Sequence, residues 1–182
     1  MAHEFSTSYV KDSIALFRQY KGLADGAIEQ ITDEQLHATL DSESNSIAII
    51  MKHMAGNMHS RWTDFLSSDG EKPNRNRDME FETPPATRAE LRSVWEQGWR
   101  VTFAALDPLG DADLGRTVMI RTEPHSVMQA INRQMAHYAQ HIGQIVLLAK
   151  HFSGANWKTL SVPRNKSAQF MADVAAGRKS QR

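Results

Sequence analysis

His137 and His141 stand one helical turn apart in a proline-free stretch, 130–150, that reads as a long helix. Imidazoles at i and i+4 project from one helix face, and His53 lies in an earlier stretch that also reads as a long helix. Two histidines from one helix and a third from a neighbour would form a facial set for a divalent ion. Three protein ligands leave a position open for water or substrate, the condition for metal-ion catalysis. The spacing alone leaves other readings open. With 8 His in the chain, such a pair arises by chance in roughly a third of sequences of this composition. An exposed helix face or hydrogen-bonded core histidines would look the same.

Helical phase sorts the histidines. His141 falls just inside the apolar arc of its helix and His137 at its margin, with Gln134 and Gln144 continuing the row. His53 sits off its apolar stripe in a polar row with Asn57, Ser60 and Asp64. Such rows line a cleft between two helices or simply face water. A buried imidazole needs partners for both ring nitrogens, which makes His141 the harder of the two to leave as surface. His59 lies on the opposite margin from His53, so one site is not expected to use both. His125 is placed near a helix start and His151 near a helix end, where capping and the helix dipole explain them. Arg75 and Arg77, in a long polar loop, are candidates for an anionic substrate or ordinary solvated charges. Asp64 is the one carboxylate in the His53 row, a candidate general base or a surface salt bridge.

Other templates fail. The chain has no nucleophile elbow, no phosphate-binding Walker loop and no dinucleotide fingerprint. Tyr138 stands where a zincin motif would need its glutamate, and paired Glu-x-x-His motifs for a di-iron bundle are absent. With Cys 0, thiolate nucleophiles, disulfides and Cys-ligated zinc are excluded. Lys+Arg and Asp+Glu are both 21, which argues against nucleic-acid binding through a broad basic field. No apolar run approaches the ~18 residues of a membrane span, and the N-terminus lacks a signal-peptide core. A cytoplasmic protein acting on a small molecule, with no membrane partner, is the expectation.

Four amphipathic stripes must position these residues. Val10, Ile14, Phe17, Ala24 and Ile28 form the first; Ile47, Ile50, Met51, Met54, Met58, Trp62 and Phe65 the second. Asn45 or Ser46 is available to cap the second, and Asp69-Gly70 marks its end. Leu91, Val94, Trp95, Gly98, Thr102 and Leu106 form the third, opened by the capping box Thr87-x-x-Glu90. Val127, Ile131, Met135, Tyr138, Ile142, Ile145, Ala149 and Phe152 form the fourth. Residues 116–121 read as a short extended link or small hairpin. The expectation is all-α: a four-helix bundle forming one domain over 1–170, with a long loop, 69–85, between the second and third helices. A C-terminal extension follows the bundle, and 171–182 reads as a flexible tail. Trp157, Leu160, Val162 and Phe170 in that extension must cover either their own bundle or a partner, so a homodimer is expected.

The segment Asn45-Ser-Ile-Ala-Ile-Ile-Met-Lys-His-Met-Ala-Gly-Asn-Met-His-Ser-Arg-Trp resembles the second helix of DinB-like proteins. The loop Asp69-Gly-Glu-Lys-Pro-Asn-Arg-Asn-Arg, the run Glu123-Pro-His-Ser through His137-Tyr-Ala-Gln-His141, and Trp157-Lys-Thr-Leu-Ser-Val-Pro-Arg-Asn are similar to a bacterial subfamily of unknown function in that superfamily. The resemblance implies a four-helix bundle, usually a homodimer, with a three-histidine site mapping to His53, His137 and His141 and holding zinc or nickel. Some relatives are thiol-dependent transferases or isomerases using low-molecular-weight thiols. In that case the carboxylates of such a thiol need cationic or amide partners, for which Arg75, Arg77 and Asn57 are the candidates. A metal-dependent hydrolase and a non-catalytic metal-stabilised binding or stress protein are the alternatives.

Overall fold

A computed structural model describes residues 5–180; about 60 % of the chain is helical, in six helices with one small two-stranded sheet. The long helices are α1 (Tyr9–Ile28), α3 (Ile47–Trp62), α4 (Arg88–Leu106) and α5 (Val127–Ser153), with short helices α2 (Asp33–His37) and α6 (Ser167–Ala175). Their starts follow from side-chain capping. Ser46 accepts from Ile49 N at the head of α3, and Thr87–Glu90 and Ser126–Gln129 form reciprocal capping boxes on α4 and α5. The short α2, which the apolar stripes did not reveal, carries its own box, Thr32–Gln35. No helix among the described residues is long and apolar enough to cross a membrane.

The helix α3 packs on α4 and α5, and α1 packs on α5 and α4. Phe17, Trp99 and Tyr138 meet edge to face at ring centroid distances of 5.6 and 5.7 Å from Tyr138, a geometry that aromatic pairs favour. Gly98 lets α4 approach α3 closely: a β-carbon there would lie 3.1 Å from the backbone of Ala55. Trp157 and Leu160 of the extension pack on this same core, Leu160 against Gly26. The helix α6 buries none of its residues and covers the point at which a tail was expected to begin.

Two local differences from the sequence expectation bear on the site. The helix α3 stops at Trp62, before Phe65, because Thr63 is extended and Asp64 takes a left-handed φ of 48°. Phe65 then folds back onto Trp62 at 5.2 Å, which preserves its apolar phase without helical continuation. The extended link is a hairpin: β1 (Thr117–Ile120) pairs antiparallel with β2 (Glu123–Ser126) across Arg121-Thr122. Both turn residues have positive φ, 54° and 65°, as a two-residue turn that matches strand twist requires. The Asp69 carboxylate accepts from both of their backbone N–H groups, at 2.8 and 2.6 Å, so the long loop and the hairpin hold each other. His125 therefore stands in β2, ahead of α5, rather than at the helix start.

Candidate metal centre

The helices α3 and α5 lie side by side, and each presents one row of polar side chains to the other. His53 comes from the middle of α3, buried to 3 % exposure, and His137 and His141 come from successive turns of α5. One ring nitrogen from each lies within 4.8 Å of those from the other two. His137 Nε2 is 3.3 Å from His53 Nε2 and 3.1 Å from His141 Nε2.

The outer nitrogens fix what the inner ones are. His53 Nδ1 donates to Glu80 Oε2 at 2.9 Å, and a carboxylate can only accept, so that nitrogen carries the proton. His141 Nδ1 donates in the same way to Gln144 Oε1 at 2.8 Å. In the neutral rings, both Nε2 atoms then turn lone pairs toward His137 Nε2. His137 Nδ1 is buried without a hydrogen-bond partner, so Nε2 is the atom through which that ring can be anchored. Two nitrogens each about 2.0–2.1 Å from one tetrahedral ion stand roughly 3.3 Å apart. The residues present therefore fit a divalent cation.

Electrostatics points the same way. Burial first, then the neighbouring His141, His53, Arg61 and Arg75, push the His137 pKa down to about 3, and burial also lowers that of His141. Both rings are thus neutral at physiological pH, the state a metal ligand needs. Glu80 is held ionised. Burial opposes its charge, but hydrogen bonds from His53 and Arg75 outweigh it and keep its pKa below the usual glutamate range. Arg75 grips Glu80 with two bonds, Nε to Oε1 at 2.7 Å and Nη2 to Oε2 at 2.8 Å, and also pairs with Glu71. A carboxylate behind a histidine ligand fixes its tautomer and raises its basicity.

The three histidines line a cleft of about 520 Å³, a size ordinary for a small-molecule site. Asn57 is also on its wall, buried, where its Oδ1 accepts from Tyr138 at 3.3 Å. Of the loop arginines, Arg75 is spent on Glu80 and Glu71, its side chain only 5 % exposed, whereas Arg77 is exposed at the cleft with its guanidinium 5.1 Å over the Phe81 ring. Asp64 does not join the His53 row, because α3 ends before it, and it lines a separate groove. Glu80 was missed in the sequence: it lies 27 residues from His53, in a single 3-10 turn (Asp78–Phe81) too short to show periodicity. Arg133 was missed too, although it extends the i,i+4 histidine row by one turn toward the N-terminus.

Residues 4–166 match the family described as protein of unknown function DUF1572. The chain belongs to the DUF1572 family. No curated protein matches it. In this DUF1572 protein the three convergent histidines and the residues that line the cleft lie within the matched region.

Proposed function

We propose that His53, His137 and His141 hold one divalent metal ion, and that this DUF1572 protein is a metal-dependent enzyme acting on a small molecule in the cleft, within a DinB-like four-helix bundle. The observation that carries the reading is the convergence of three Nε2 atoms whose outward nitrogens are already committed as donors or buried. Zinc and nickel both suit an all-imidazole set. Such an ion supplies Lewis acidity, lowering the pKa of a thiol or water that joins it.

The residues around it favour thiol transfer over hydrolysis. A hydrolase that uses a carboxylate to deprotonate or orient its water would place one on the cleft wall, and no carboxylate lines the cleft among the described residues. Glu80, the nearest candidate, is held by His53 and Arg75. A thiol needs only to ionise: its proton passes to solvent, its sulfur bonds to an electrophilic carbon, and the displaced group leaves with its electron pair. A purely structural metal would instead call for a fourth protein ligand, and the group of convergent donors among the described residues holds the three histidines alone.

The test is metal analysis of the purified protein. About one zinc or nickel per chain is expected, lost in H137A/H141A while helix content by circular dichroism is kept. Cobalt substitution then reads the open position, through the sulfur-to-metal charge-transfer band that an added thiol produces. Undiminished metal in the double variant removes the proposal, and no such band with any of several thiols at millimolar concentration removes the transferase part.

A further inference from the structure

Five arginines line the cleft, in a chain whose formal net charge is zero. Three are spoken for: Arg75 by Glu80 and Glu71, and Arg61 and Arg121 by Glu71. Arg77 and Arg133 have no ion-pair partner among the described residues, and both are exposed. Arg77 comes from the loop that follows α3 and Arg133 from α5. Arg77 lies over the ring of Phe81, which in turn packs against His53, tilted 30° with centroids 4.5 Å apart. Arg133 precedes His137 by four residues on α5, so the row Arg133, His137, His141 runs along one helix face.

A pair of exposed arginines would mean little without the wall around them. Arg61, Arg75 and Arg121 add three further guanidinium groups to the cleft wall, and among the described residues no carboxylate lines it, so the wall as a whole is suited to an anion. We infer that the cleft takes a small organic anion, its carboxylate or phosphate held between Arg77 and Arg133 and a second donor atom reaching the histidine cluster. Four residues, a rise of roughly 6 Å, separate Arg133 from His137 along α5, so both functions fit within one small molecule. The inference deepens the metal-enzyme reading and rests on it for the second donor; the anion anchor stands on the arginines.

The test titrates the full chain, zinc-free and zinc-loaded, with inorganic phosphate and separately with succinate, by calorimetry. One bound anion per chain is expected, weakened about tenfold or more in R77Q/R133Q at unchanged zinc content. K11Q/R164Q removes the same charge outside the cleft and should weaken binding less than about twofold. The tighter titrant separates a phosphate from a carboxylate ligand. Equal affinity in wild type and R77Q/R133Q, equal losses in both double variants, or no anion bound by either form overturns the inference. Failure of the metal reading looks different: no stoichiometric zinc in the wild type, yet anion binding that R77Q/R133Q weakens.

Discussion

Glu80 fills the space that a side chain at Gly56 would occupy: a β-carbon built there would lie 2.8 Å from the Glu80 carboxyl carbon. Gly56 follows His53 by three residues on α3, so the glycine opens the helix surface where the carboxylate must pass to reach His53 Nδ1. The site is thus set by a residue with no side chain as well as by those with one.

Gly56→Ala should therefore displace Glu80 and leave His53 without its partner. Zinc affinity is expected to fall about 10–100-fold, the usual effect of losing such an outer carboxylate, and Glu80→Gln should act in the same direction. Alanine for glycine inside a helix ordinarily gains about 1 kcal/mol in propensity. A competition titration with a chromophoric chelator reads the affinity, and a Gly56→Ala protein binding zinc as tightly as the wild type would contradict the role given to Glu80.

The depressed histidines give the metal-free protein a pH dependence whose sign follows from proton counting. His137 titrates at about 3 when folded against about 6.5 when unfolded, and His141 is lowered in the same direction. Between those values the unfolded chain binds more protons, so stability rises with pH through this window. It is full above about 6.5 and is lost progressively as pH falls toward about 3. Urea unfolding of the metal-free protein between about pH 7 and pH 5 avoids most carboxylate titration. His137→Gln should flatten the slope there, and an unchanged slope would mean that this ring is not held neutral by the fold.

The elements that carry the site were legible because each rests on local rules. Ser46, Thr87–Glu90 and Ser126 begin their helices where capping chemistry places them, and the phase of α5 puts His137 and His141 on one face. The polar row of His53 and Asn57 beside an apolar stripe lines a cleft, as such rows can. Glu80 and the pairing of Arg75 were not legible, because they depend on where a loop folds back over α3. Arg75 attracted attention as a free loop cation, but its charge is used to hold Glu80 ionised. The end of α3 was misplaced for a related reason: Phe65 keeps the apolar phase by packing on Trp62 after the chain has left the helix.

A buried polar chain ties the two helices that bear the histidines. Trp62 Nε1 donates to the Tyr138 hydroxyl at 3.0 Å, and that hydroxyl donates to Asn57 Oδ1 at 3.3 Å. Tyr138 adjoins His137 on α5, while Trp62 and Asn57 belong to α3, so this chain fixes how the two polar rows face each other. Tyr138→Phe keeps the ring that packs against Phe17 and Trp99 but leaves the indole N–H and the amide oxygen unpaired in the core. A loss of about 1–3 kcal/mol in unfolding free energy is expected, since an unsatisfied buried group costs its full desolvation. Zinc stoichiometry should persist, because no ligand has changed, while zinc affinity falls as the spacing of α3 and α5 loosens. Urea unfolding together with zinc titration separates the two effects. A loss below about 0.5 kcal/mol would show that the hydroxyl fills space without tying the helices.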